Sequence, residues 1–406
     1  MHPRRASPKR AWLVYRAGFG FSLYMGVTTF TLSLIDRVGA GQLTLALTGT
    51  VLEITYTLSE VPTGVLADRY GRKRSVVIGL LILAIGFNLT AVPSLAVVLA
   101  AQILWGVGWT CVSGADVAWI TDEVGEDAAR PLYAAGTRAE LLASVVGIAT
   151  GAALGLINLW LPLVVGGVGF AVVAAWLAVR MAETTPARTH EDRLTISETV
   201  RRTRASVRMR PAVAVALLVM VAAGLAGEGV DRLWQFHLFA DEAGARGTVL
   251  IVAALFAAGL LLGAGAAAVV GRRLDDPDPQ LPAKMLSWAN YGVAASVALL
   301  AVAPLPIAAA GFVVCQALRH ACEPLIYAWV NRGADASVRA TLNSLVGQSE
   351  SIGEIAGGPI LGGIAATGGT GPALGVSAAV FAAAGAVARW RRTLEEPVAR
   401  EVGAGA

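Results

Sequence analysis

Twelve apolar runs, each long enough to cross a membrane as a helix, leave this chain few folds to choose from. A spanning helix needs about 20 mostly apolar residues to cross a hydrocarbon layer about 30 Å thick. Within lipid, each segment must satisfy its own backbone N–H and C=O groups, which favours helices. The runs lie near 12–34, 43–66, 75–92, 95–117, 139–158, 161–180, 212–233, 248–270, 284–303, 307–330, 341–366 and 372–389. Several are joined by very short turns, such as Val92-Pro93-Ser94 and Ala303-Pro304-Leu305-Pro306. Of the 406 residues, 56% are hydrophobic and 15% are charged, against roughly 25% charged in soluble domains. Too few polar groups remain to coat a water-exposed surface, and the period-2 strands and Gly-rich turns of a soluble α/β enzyme are missing. The chain reads as an all-α membrane protein with no enzymatic role.

The cysteines Cys111, Cys315 and Cys322 lie inside apolar runs and read as core residues. With four scattered histidines they form no ligand set, so neither a metal nor a cofactor is expected. The basic stretch Met1 to Arg10 leads directly into the first run without an A-x-A cleavage site, so that run is expected to be a retained helix.

Lys and Arg mark the orientation, because loops on the cytoplasmic side carry the excess of positive charge. Alternate connections are basic: Arg4 to Arg10, then Arg69 to Arg74, Arg130 and Arg138, the stretch Arg180 to Arg210, then Arg272 to Lys284, Arg332 and Arg339, and Arg389 to Arg400. On this assignment 27 of the 32 cationic residues share one side, only Arg37, Arg232 and Arg246 lie on the other, and Arg16 and Arg319 fall inside spans. An even number of spans with both termini cytoplasmic fits, in a multi-pass protein of the cell membrane. Topology therefore accounts for the net charge of +4 without a nucleic-acid partner.

The one long hydrophilic stretch divides the spans six and six, giving halves 1–182 and 211–406 joined by a cytoplasmic linker, 183–210. Its segment 197–208 reads either as a basic helix on lipid headgroups or as a tether. Repetition supports the division. Ala118-Trp119-Ile120 returns as Ala328-Trp329-Val330, Arg130 returns as Arg339, and Ser144, Gly151 and Gly155 match Ser351, Gly358 and Gly362. Two parallel six-helix repeats bind substrate near the midplane and alternate access by rocking.

Between spans two and three stands Gly64-Val65-Leu66-Ala67-Asp68-Arg69-Tyr70-Gly71-Arg72-Lys73-Arg74. This stretch resembles the G-x-L-A-D-r-x-G-r-k-x signature of the major facilitator superfamily. The resemblance implies the major facilitator fold, with two pseudo-symmetric halves. It also implies a gating motif at Gly64, Asp68, Arg69, Gly71, Arg72 and Arg74. Gly64 and Gly71 would permit a tight turn, and Asp68 would latch onto the positive N-terminal end of span eleven, near Ala340. Glu60-Val61-Pro62-Thr63-Gly64 and Ala118 to Glu123 resemble the branch of bacterial macrolide- and tetracycline-type exporters. The match is incomplete. Gln102 stands where drug antiporters carry an arginine in span four, and Ala152 replaces the proline of the span-five antiporter signature.

A charge at the bilayer midplane costs about 3 kcal/mol or more, so each one marks a candidate site. By depth, Glu53, Arg319, Glu323, Glu350 and Glu354 are the proton or substrate candidates. Arg319 and Glu323 are one turn apart and are expected to pair along span ten, either to lock it or to open when substrate or a proton arrives. Glu350 and Glu354 share a helix face, so one of them is expected to hold a proton or to pair with Arg319. Glu228, Asp231 and Arg232 form a cluster read as a gate or solvated helix end. Asp116, Glu60 and Glu140 are assigned to an inner gate, while Trp105, Trp109 and Tyr291 are candidates for the cavity wall. The expected activity is proton-coupled export of an apolar or amphipathic small molecule by a monomer in the lipid bilayer, with multidrug resistance as its outcome. Uptake or uniport of a metabolite, and a sensor that has lost transport, are the alternatives. No G-x-x-x-x-G-K-[ST] loop is present for an ATP-driven pump.

Overall fold

A computed structural model describes residues 6–184, 211–274, 276, 278, 280–332 and 336–403. Most of the expected linker 183–210, including the surface helix considered for 197–208, lies outside the described residues, as do Arg4 and Arg5. The helices are α1 (Pro8–Ser33), α2 (Gln42–Tyr70), α3 (Arg72–Thr90), α4 (Leu95–Val112), α5 (Ala115–Val124), α6 (Glu126–Gly155) and α7 (Leu161–Arg180). They continue with α8 (Pro211–Phe239), α9 (Arg246–Arg273), α10 (Leu281–Val302), α11 (Leu305–Asn331), α12 (Ala336–Gly368) and α13 (Thr370–Gly403). With α4 and α5 forming one interrupted span, each of the twelve expected spans is a helix. Among the described residues, ten are long and apolar enough to cross a membrane by length and composition. The other two, α2 and α12, have the length but carry Glu53, Glu60, Glu350, Glu354 and many Ser, Thr and Gly residues.

Local chemistry sets the ends of these helices. Ser7 accepts a hydrogen bond from the Arg10 amide and Pro8 occupies the first turn of α1, where a missing N–H costs nothing. A π-helical turn, Leu34–Val38, extends α1 and stops at Gly39, whose φ of +70° suits glycine. At Ser113-Gly114 the chain breaks span four, with Gly114 at φ +77°, and α5 starts afresh. Gly71, at φ +105°, turns the chain from α2 into α3.

The helices divide into two compact units, Met1–Asp192 with Phe239–Ala257, and Arg193–Leu238 with Ala258–Ala406. Aromatic rings fill the first core: Phe87 stacks on Trp105 at 4.0 Å, and Phe19 meets both Trp109 and Phe170 edge-on. In the second core Trp234 stacks on Phe312 at 3.8 Å. Large apolar side chains also face outward, including Leu142, Ile157, Val172 and Val302. That distribution suits a protein solvated by lipid.

Glycines bring specific helix pairs into backbone contact. A Cβ on Gly147 or Gly151 of α6 would strike the carbonyls of Phe21 or Met25 in α1. In the second unit, Gly353 and Gly357 of α12 stand in the same way against Val221 and Leu225 of α8. The structural register of the repeat therefore pairs Gly151 with Gly357, one residue before the Gly358 matched by sequence. Identity of residue type fixed the sequence match, whereas carbonyl contact fixes the packing.

Candidate functional site

The second unit contains a cavity of about 420 Å³ lined by α8, α10, α11, α12 and α13. Its apolar wall includes Val219, Met220, Val293 and Phe381. Arg319 dominates the polar wall. From near the middle of α11 its Nη1 donates to Asp231 Oδ1 at 2.6 Å and its Nη2 to Oδ2 at 2.8 Å. Nη1 also donates to Gln316 Oε1 at 3.1 Å. Gly227, one turn before Asp231 on α8, makes room for the guanidinium, because a Cβ there would lie 2.7 Å from Nη2. This planar two-point contact is the geometry in which Arg binds a carboxylate best.

The expected pairing of Arg319 with Glu323 is therefore corrected. Asp231 lies 88 positions away in the chain but presents both oxygens to the guanidinium. Glu323 instead lines the cavity with its side chain exposed, and forms no ion pair among the described residues. Glu350 also lines the cavity, whereas Glu354, one turn further along α12, is outside the lining. Glu53 is half-buried on α2 in the first unit. The charged cluster on α8 separates: Asp231 goes to Arg319, while Glu228 accepts from Arg232 Nε at 2.9 Å.

Sequence reading passed over His320. It lines the cavity between Arg319 and Glu323, its Nδ1 is 2.8 Å from the Gln316 carbonyl oxygen, and Gly263 makes room for its ring. Pro324, inside α11, was the available signal. A helical proline has no N–H for the carbonyl four residues back, here that of His320, so the backbone ladder is interrupted beside the site.

The first unit holds a second charged cluster. Arg16 of α1 contacts Glu140 of α6 through Nη2 and Asp116 of α5 through Nη1, the latter at 3.4 Å. Tyr15 donates its hydroxyl to Asp116 Oδ2 at 2.9 Å, and the Val117 amide donates to Oδ1 at 2.6 Å. The break at Ser113-Gly114 places Asp116 in the first turn of α5, where the helix end favours negative charge. Sequence reading assigned Asp116 and Glu140 to a gate; the structure joins them around one arginine.

In the signature segment, Gly64 is not part of a turn. Helix α2 runs through it, and a Cβ there would meet nothing within 4 Å. Gly71 alone makes the turn, and Glu183 beyond α7 accepts from the Arg72 amide at 2.7 Å. Arg72 also reaches Asp122 at the end of α5 and approaches Asp68 at 3.9 Å. Among the aromatic candidates, Trp105 is a core residue, buried face to face on Phe87 because Gly86 clears space for its indole. Trp109 packs on Phe19, and Tyr291 packs beside Trp288 and Gly385, outside the lining.

Two repeats of membrane-length helices, each holding charged side chains between its helices, are the architecture of a polytopic transporter. The chain belongs to the Major Facilitator Superfamily, whose family model matches residues 16–283. It is similar to the uncharacterized MFS-type transporter YxaM of Bacillus subtilis strain 168, with 26% identity over 347 residues, covering 84% of each chain. The fold is that of solved transporters. A mutant of the nucleoside transporter NupG superposes with a TM-score of 0.77 at 10% identity, covering 95% of this chain and 99% of NupG. A mutant of the peptide transporter POT in complex with sulfate gives 0.75 at 14% identity, covering 95% of both chains.

Proposed function

We propose that this transporter exports an apolar or amphipathic small molecule from the cell, driven by protons, with its coupling charges in the second half. It acts as a monomer in the cell membrane, with both termini cytoplasmic and residues 183–210 linking the halves 1–182 and 211–406. The observation that carries the reading is the second-unit cavity, where an apolar wall faces the Arg319–Asp231 pair and the exposed carboxyl of Glu323. A carboxyl beside a movable guanidinium changes its proton affinity as the guanidinium approaches or withdraws. Glu323 is the first coupling candidate and Glu350 the second. Asp68 serves as a latch at the end of α2.

The amide side chains of Asn290 and Gln316 in the same wall favour a second reading, uptake or uniport of a polar metabolite. Screening expressing cells against an antibiotic panel separates the two. Export gives resistance, whereas uptake gives none and instead supports accumulation of a labelled metabolite.

With a substrate in hand, proteoliposomes test the coupling. Glu323→Gln is expected to abolish movement driven by a pH gradient while leaving downhill exchange. Full pH-driven transport by both Glu323→Gln and Glu350→Gln would show that coupling is not carried by these two carboxyls.

A further inference from the structure

We propose that the first unit contains a proton-binding site of its own, in which Glu140 carries the proton and Ser144 accepts its hydrogen bond. The site stands on three observations. The first is charge. One guanidinium, Arg16, serves two carboxyls, Asp116 and Glu140. If both were ionised, one negative charge would remain uncompensated between membrane-length helices, which is unfavourable. Among the described residues, no other charged group is in contact to offset it. Tyr15 and Tyr24 on α1 face the cluster as neutral hydroxyls, the buried faces of α4 and α7 are apolar or uncharged, and Arg138 on α6 is exposed.

The second observation separates the two carboxyls. Asp116 already accepts from the Tyr15 hydroxyl, from Arg16 and from the Val117 amide, three donors that suit a carboxylate. Its side chain is only 6% exposed, against 21% for Glu140. Glu140 receives Arg16 on Oε2, and no protein donor reaches Oε1 among the described residues.

The third is Ser144, one turn beyond Glu140 on the same helix. Its Oγ is buried, with the residue 1% exposed, and it has no hydrogen-bond partner. A Cβ built on Gly20 would lie 2.7 Å from both Glu140 Cγ and Ser144 Oγ, so the two side chains flank one small gap. A buried hydroxyl without a partner is costly. A proton taken from water onto Glu140 Oε1 would make that oxygen a donor, and a rotation of the carboxyl into the gap would bring it to Ser144 Oγ, while Oε2 continues to accept from Arg16. Loss of that proton to water returns the cluster to its charged form. The unit thus holds a proton independently of Glu323, and the proposal does not depend on the export reading.

Dicyclohexylcarbodiimide reports on the site without a substrate. It reacts with protonated carboxyl groups in apolar surroundings: the O–H adds across a C=N bond to give an O-acylisourea, whose acyl group then shifts from O to N, leaving a stable N-acylurea. The full chain in liposomes would be labelled across about pH 5 to 9, a range spanning raised carboxyl titrations, and the adducts located by peptide mass spectrometry. An adduct on Glu140 that is abundant at the acid end and absent at the alkaline end is expected. Asp116→Asn removes the second negative charge, so the labelling midpoint should fall by about one pH unit. Ser144→Ala removes the acceptor and should move the midpoint the same way by a smaller step; as the loss of one oxygen, it keeps the test open if the Asp116 variant does not fold. Absence of a Glu140 adduct at every pH, an adduct on Asp116 in its place, or a midpoint that neither substitution moves would overturn the proposal.

Discussion

Arg319 holds Asp231 by two parallel hydrogen bonds, 2.6 and 2.8 Å, joining the middle of α11 to α8 inside the second unit. Each residue is shielded, with side-chain exposures of 22% and 35%. Removing either one leaves a charge without its partner, which costs about 1–2 kcal/mol for a pair only partly shielded from water. Asp231→Asn and Arg319→Gln should each lower the unfolding temperature of the purified protein. The double substitution should recover part of the loss, because no lone charge remains. Additive losses would mean that the pair contributes no coupling.

Gly71 supports a prediction about the signature segment. Its φ of +105° is poorly tolerated by residues with a side chain, and a Cβ would sit 3.0 Å from the Glu183 carboxylate. Gly71→Ala should therefore destabilise the protein by about 1–3 kcal/mol. Gly64→Ala should be neutral or slightly stabilising, since a helical glycine in open space gains from alanine. Thermal unfolding of the two variants side by side checks the contrast.

Asp68→Asn should sharply reduce transport while leaving membrane insertion intact, if a negative charge at this position latches the transporter. A negative charge set at the N-terminal end of a helix is worth about 1 kcal/mol, up to about 2 where partly buried. Wild-type turnover in the variant would reduce Asp68 to a role in topology.

Orientation can be read by chemistry. Cysteines introduced as Glu198→Cys and Val402→Cys should resist an impermeant thiol reagent added to intact cells and react once the membrane is opened. Labelling of either from outside would reverse the assignment.

The connection before α10 should respond to acid. Lys284 Nζ donates to Asp278 at 2.8 Å, and with the Gln280 amide it holds the Asp278 carboxyl below its usual range. A carboxyl with a depressed folded-state value contributes stability that is complete above its unfolded value, near pH 4, and is lost as the pH falls through the folded value. Proteolysis of this connection should accelerate in strong acid, and Lys284→Ala should move the onset to higher pH.

The spans were legible because membrane crossing is a matter of length and hydropathy, both read directly from residue order. The break within span four was not read, although Ser113-Gly114 beside Asp116 carried a signal. Partners of buried charges were harder still. Glu323 lies one turn from Arg319, the nearest choice along the chain, but distance along a helix does not determine where a long guanidinium reaches. Asp231 wins by offering two oxygens in one plane, which depends on how α8 and α11 pack. Arg16 meets Asp116 and Glu140 across 100 and 124 positions, separations at which no local periodicity reports contact.

The glycine contacts between α1 and α6, and between α8 and α12, leave no slack for sliding. A side chain at an interface can change rotamer to absorb a small shift, but two backbones pressed together have no such cushion. Each pair should move as one blade, stiff along its length, and a wedge driven into it should be felt far from the point of entry. Gly151→Val and Gly357→Val, neither near a charged group of the cavity, would each pry a blade open at the carbonyl it rests on.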